Sequence, residues 1–274
     1  METCQVDVLN RGKEYWKPEN QNFDAVKEKN RIVEWIREWF NQNGPKANAV
    51  LGISGGKDST IVAALLVEAL GKDRVYGVLM PQGVQPDIDD SRRVVETLGI
   101  RNTVVNIGKT VDTLKEELEG ACGELVDNRP ALSRDTGINI PPRVRMTTVY
   151  AVGQSLPQGA RVANTCNKSE DYIGYSTKYG DAAGDFAPIA DYSVTEVRAI
   201  GAVLDSLKDI QDLVQKTPSD GLCGQSDEDR FGFTYDTLDR YMAGEEIDPE
   251  IAAKIDRMHI ANLHKLRLMP VCKR

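Results

Sequence analysis

Histidine and cysteine, on which much nucleophilic and metal chemistry rests, are scarce in this chain. Its two histidines, His259 and His264, both lie near the C-terminus, which leaves histidine-based acid–base catalysis few candidates. The five cysteines (Cys4, Cys122, Cys166, Cys223, Cys272) form no C-x-x-C pair. An odd count at these spacings fits neither a disulfide framework nor a zinc site, and reduced thiols in a cytoplasm account for them. No run approaches the ~18 apolar residues of a membrane-spanning helix, and the N-terminal METCQVDVLNRGKEYW has no apolar signal core. Membrane insertion and secretion are therefore not expected. There is no long Lys/Arg block either: 34 basic against 42 acidic residues give a formal charge of −8, which argues against nucleic acid as a partner. An anionic small molecule stays open, because local charges can oppose the global one.

What is present is an ordinary globular composition, 41% hydrophobic and 28% charged over 274 residues, enough for a sizeable core. Without repeats, low-complexity stretches or long linkers, one domain over residues 1–274 is expected. Apolar residues at helical spacing predict a helix over 22–40, stopped by Asn43-Gly44-Pro45. The Trp35/Trp39 pair on it suits a core or subunit interface. Short apolar runs predict strands over 47–53, 74–80, 102–107 and 160–165. Helices are predicted over 59–70, 87–98, 142–152, 195–207 and 250–265. Strands alternating with helices imply an α/β fold, an open parallel sheet with helices on both faces. Ligands in such folds sit beyond the carboxyl ends of the strands, so the loops after residues 53, 80, 107 and 165 are where function is expected.

The first of those loops reads Gly52-Ile53-Ser54-Gly55-Gly56-Lys57-Asp58-Ser59. Paired glycines let backbone N–H groups converge on an anion. Ser54 and Ser59 add donors, and the following helix points its positive end into the loop. This suits a phosphate, although the register is not that of a Walker A loop. Asp58 beside such a cradle would repel the ligand unless a cation intervenes, and Mg²⁺ shared between carboxylates and phosphate oxygens resolves the conflict. A Ser- or Asp-capped Gly-Gly turn is the bland alternative.

S-G-G-x-D-S between a strand and a helix resembles the pyrophosphatase loop of the ATP-pyrophosphatase superfamily, whose members adenylate an oxygen and release pyrophosphate. Other segments are similar to those of NAD synthetases. Asn139 to Thr148 resembles their N-x-x-A-R-x-R-M stretch. Asn164 to Glu170, followed by Gly174 and by Ser176 to Asp181, resembles G-T-x-x-x-x-E…G-x-x-T-K-Y-G-D. Residues 218–228 resemble a second, mobile phosphate-side loop, placed at about 217–230. Tyr235-Asp236-x-Leu238-Asp239 and the closing His264-Lys265 also match, so the resemblance runs from about residue 25 to the C-terminus.

The resemblance implies an adenine nucleotide alpha hydrolase-like, Rossmann-like fold and an ammonia-dependent ligase acting on deamido-NAD and ATP. It implies that Gly52, Ile53, Ser54, Gly55, Gly56, Lys57, Asp58, Ser59, Thr165 and Ser219 bind ATP, with Asp58 and Lys57 catalytic. It implies Mg²⁺ on Asp58 and Glu170, and deamido-NAD on Arg143, Lys178, Asp185, His264 and Lys265. A homodimer with the dinucleotide site at the interface is implied as well. Each residue has a plainer alternative: a solvated charge for Glu170, a surface pair for Lys178 and Asp181, helix-flanking charges for Arg143 and Arg145, a helix C-terminus for His264 and Lys265, an inert buried thiol for Cys166.

The chain departs from the pattern in three places. Cys166-Asn167 stands where several family members carry Asp-His. A family lysine that contacts ATP aligns near Val194, so its role is lost or taken by another cation such as Lys57. Around Thr217-Pro218-Ser219 the family's threonine contact falls to Ser219 or Thr217. Only 53 residues precede Ser54, too few for the amidase domain of glutamine-using NAD synthetases, so free ammonia is the expected nitrogen source. A tRNA-thiolating enzyme of the same superfamily would call for C-x-x-C pairs and a basic surface. A non-catalytic ATP sensor would predict damaged loop acids, yet Asp58 and Glu170 are intact.

Overall fold

The structure, a computed structural model, describes residues 23–85, 87–123, 132–216, 227–266 and 271–272. Its sheet has four parallel strands in the order β3-β2-β1-β4, formed by β1 (Asn48–Gly52), β2 (Val75–Leu79), β3 (Arg101–Val104) and β4 (Ala160–Val162). The order reverses between β1 and β4, whose register pairs Asn48 with Ala160 and Val50 with Val162. The loops leaving these two adjacent strands therefore open toward one crevice, the usual ligand position in such sheets.

Helix α1 (Ala25–Asn43) begins where the Asp24 carboxylate accepts the Val26 and Lys27 N–H groups, at 3.0 and 3.1 Å. It buries Ile32, Val33, Ile36 and Phe40, each worth roughly 1.5–3 kcal/mol. Trp39, on the same helix, stacks on Phe186 with centroids 4.6 Å apart. Helix α2 (Lys57–Leu70) follows the Ser54–Gly56 turn, and six consecutive residues, Ile61 to Leu66, are fully buried. A helix apolar all round is enclosed on all sides, so the N-terminus that α2 offers to the crevice is rigidly held.

Helices α3 (Ile88–Leu98), α4 (Gly108–Gly123) and α5 (Arg134–Ser155) come before β4, and α6 (Lys168–Ile173), α7 (Val194–Ala202), α8 (Gln211–Val214), α9 (Asp227–Phe231), α10 (Tyr235–Met242) and α11 (Pro249–Leu266) come after it. No helix among the described residues is long and apolar enough to cross a membrane.

The predicted elements are present with shifted ends. The helix predicted over 142–152 starts at Arg134, because the Ser133 hydroxyl caps it on the Thr136 N–H at 3.1 Å. Pro141 and Pro142 thus lie inside the helix, each removing one N–H donor. The strand predicted over 160–165 ends at Val162. Asn164 draws the chain away there: its side chain accepts the Cys166 N–H at 2.8 Å and donates to the Asp181 carbonyl at 2.9 Å. The helix predicted over 195–207 stops at Ala202, and a 3₁₀ stretch runs from Asp205 to Ile210.

Candidate active site

The loop after β1 is cross-braced before any ligand is considered. The Gly56 N–H donates to Ser54 Oγ at 3.2 Å, and the Ser54 and Ser59 hydroxyls lie 3.0 Å apart. Gly56 occupies the N-cap of α2 and brings no side chain to the first-turn N–H groups. Gly55 has φ +78°, and a Cβ there would stand 2.7 Å from Asp90 Cβ and 2.8 Å from the Ser91 nitrogen on α3. Gly55→Ala is expected to lose roughly 1–2 kcal/mol from the left-handed backbone alone, more with the clash, and to weaken ATP binding. A thermal melt paired with an ATP titration checks both.

Lys57, with a side chain only 2% exposed, lies between two carboxylates: its Nζ is 2.5 Å from Asp58 Oδ2 and 3.5 Å from Glu170 Oε1. Burial acts to lower its pKa, but the attraction of Asp58 and Glu170 outweighs it and the ammonium is held above its ordinary value. Burial, then the neighbouring Asp58 carboxylate, pushes the Glu170 carboxyl up, with Lys57 opposing. Two carboxylates, one in the first turn of α2 and one in the first turn of α6, thus converge on one cation. Asp58 and Glu170 would suit a divalent cation, whose charge would offset that of a bound phosphate.

The cleft beside this cluster has a volume of about 1150 Å³. Gly52, Ile53, Ser54, Gly56, Lys57, Asp58, Ser59, Thr165 and Glu170 line it, and so do Arg143, Lys178, His264 and Lys265. These last four form one connected group. Arg143 Nε donates to the Lys178 carbonyl at 3.2 Å, and Lys178 Nζ donates to the His264 carbonyl at 2.7 Å. Lys265 Nζ donates to the carbonyls of Gly174 and Ser176 at 2.8 and 3.0 Å. The first turn of α2 and the cations Arg143, Lys178 and Lys265 thus line one cleft that an anion can enter.

Asp185 is not brought into this group and does not line the cleft. Its carboxylate accepts the Val162 N–H at 2.7 Å and the Tyr150 hydroxyl at 3.1 Å. Burial and that carboxylate push the Tyr150 phenol up to about 12. Ser219 lies outside the described residues, as does most of the predicted second loop. The part of that loop that is described, from Asp227, opens α9.

Three polar groups were missed by sequence reasoning. Asn167, fully buried, donates to Asp58 Oδ1 at 3.2 Å. Asp227, 5% exposed, accepts the Tyr175 and Tyr235 hydroxyls at 3.2 and 3.3 Å. Arg145 lines the cleft with its Nε donating to the Met80 carbonyl at 3.3 Å, and burial lowers its pKa. The R-x-R spacing carried a signal for Arg145. Asn167 and Asp227 fell within segments matched to the family but were given no role.

A parallel sheet, a phosphate-type loop at its switch point and paired acids over it define a nucleotide-binding α/β protein of the ATP-pyrophosphatase type. A profile of the NAD synthase family matches residues 28–274, and the chain belongs to that family. It is 43% identical over 222 residues to the NH(3)-dependent NAD(+) synthetase of Pyrococcus horikoshii, covering 81% of this chain and 78% of that one. It is 38% identical over 262 residues to the enzyme of the same name from Pyrococcus furiosus, covering 90% and 93%. Among solved structures, an NMN synthetase from Francisella tularensis superposes with a TM-score of 0.80 at 26% identity, covering 92% of this chain and all of that one.

Proposed function

We propose that the protein is an ammonia-dependent ligase that amidates the nicotinate carboxylate of deamido-NAD, using ATP and releasing AMP and pyrophosphate through an NAD-adenylate. Membership of the NAD synthase family supports the activity. The observation that carries the site assignment is that residues of the SGGKDS loop and the cations Arg143, Lys178 and Lys265 line one cleft. In this reading residues 52–59 and Thr165 bind ATP, with its phosphates on the α2 N-terminus. Arg143, Lys178, His264 and Lys265 hold the dinucleotide's diphosphate and carboxylate. Lys57 neutralises charge on the phosphates. Asp58 and Glu170 would hold Mg²⁺, which supplies charge neutralisation of the departing pyrophosphate. Catalysis is positioning and charge stabilisation, consistent with the scarcity of histidine.

The reading extends to a single cytoplasmic domain acting as a homodimer, with the dinucleotide site completed at the interface. The shallow depression on α5 lined by Met146, Tyr150, Ala151 and Tyr179 supports that face as the contact, and Asp185 adjoins it through Tyr150. Ser219 is retained as an ATP contact from the second loop.

The test is incubation with ATP, Mg²⁺, ammonium and deamido-NAD, followed by assay of NAD, AMP and pyrophosphate. ADP and phosphate as products would eliminate adenylation. A parallel arm uses the deamido form of NMN, because the structural neighbour is an NMN synthetase. The dinucleotide is the expected substrate, given the NAD synthase family match and 38–43% identity to NAD(+) synthetases. Ammonium is expected to support turnover, rising with pH as more of it is free ammonia, while glutamine supports little. Equal rates with glutamine, in protein free of contaminating glutaminase, would contradict the nitrogen assignment.

A further inference from the structure

Asn167 lies outside the nucleotide- and dinucleotide-binding residues named above, yet it is fully buried against two of the site's acidic residues. Its Oδ1 accepts the Glu170 N–H at 3.0 Å and caps α6. Its Nδ2 donates to Asp58 Oδ1 at 3.2 Å. The two partners fix the amide's orientation, because the flipped form would set NH₂ against N–H and oxygen against carboxylate. A cap alone needs only an acceptor, which Ser, Thr or Asp also supplies. The donor arm is what asks for an amide. With Oδ1 of Asp58 tied to Asn167 and Oδ2 turned to Lys57, one side chain spans the loop after β1 and the first turn of α6, which carry the two acids.

We propose that Asn167 is a positioning residue that sets the spacing between the Asp58 and Glu170 carboxylates for a shared divalent cation, without touching that cation. The proposal rests on the reading of those two acids as the metal carboxylates. It separates two functions of one side chain, the cap and the tether, and substitutions can separate them too. Serine keeps the cap but is too short and lacks the amide donor to reach Asp58. Alanine loses both.

The experiment measures Mn²⁺ binding by electron paramagnetic resonance, with α,β-methylene-ATP present, for wild type, Asn167→Ser and Asn167→Ala, alongside thermal melts. Asn167→Ser is expected to melt close to wild type but to bind Mn²⁺ roughly 10–100-fold more weakly. In turnover it should need more Mg²⁺, with kcat recovering at saturation. Asn167→Ala should show the same loss of Mn²⁺ affinity and a lower melting midpoint as well. Wild-type Mn²⁺ affinity in Asn167→Ser would overturn the positioning role and leave only the cap. Affinity falling in both variants only in step with melting midpoint would overturn it too. Wild-type protein that takes up no Mn²⁺ with the nucleotide would overturn the metal assignment itself, and this proposal with it.

Discussion

Asp58→Asn is expected to lower turnover by roughly 10²–10³-fold, the usual size of losing one charge contact made in the transition state. Asparagine keeps the shape and can still accept from Asn167 Nδ2 through Oδ1, so the protein should stay folded with an unchanged circular dichroism spectrum. The loss should fall on kcat with saturating substrates and appear equally in AMP and NAD formation. Turnover near wild type would reduce Asp58 to a helix-start carboxylate with no part in the chemistry.

The second large effect is expected at Lys57. Replacing it by Met removes the ammonium that sits between two acids whose side chains are only 18% and 16% exposed. Removing one partner of a buried ion pair costs about 3 kcal/mol or more. Partial exposure of the carboxylates keeps the figure near the low end, or roughly 6–10 °C in melting midpoint for a chain of this size. Activity should fall roughly 10²–10³-fold with the loss of the cation proposed to neutralise the phosphates. The distinguishing result is the response to metal: Mg²⁺ or Mn²⁺ should raise the midpoint of Lys57→Met more than that of wild type, since it fills the place the ammonium left. A variant as stable as wild type and indifferent to metal would show that Lys57 does not hold the two acids together.

The sheet and the phosphate loop were legible because their signals are local. Apolar runs mark β1 and β2, and a glycine pair between a strand and a helix marks the cradle. Helix α4 was missed although Val111, Leu114 and Leu118 recur at helical spacing, so the signal was there to be read. The start of α5 was obscured by Pro141 and Pro142, which look like a helix boundary until the Ser133 cap, eight residues upstream, is considered. At the site, the residues on the loops after β1 and β4 and at the end of α11 were named in advance. Asn167 was noted only as a departure from the family pattern, because its partner Asp58 lies 109 residues away. Asp185 shows the converse. The resemblance assigned it to the dinucleotide, but only the fold reveals that its carboxylate is spent on the Val162 backbone and Tyr150.

The reversal of strand order between β1 and β4 also bears on when the site comes into being as the chain folds. The strands β1, β2 and β3 succeed one another within residues 48–104, but β4 begins at Ala160, and Asn48 must find it across that gap. Contacts so far apart in sequence carry the larger loop-closure cost. Asp58 and Asn167 stand on opposite sides of this seam, so the proposed nucleotide site is complete only when the seam is closed. A ligand that bridges the two sides binds the closed form alone and holds it shut by mass action. Substrate is then also a clasp on the fold, and occupancy of the enzyme and persistence of its native state rise together.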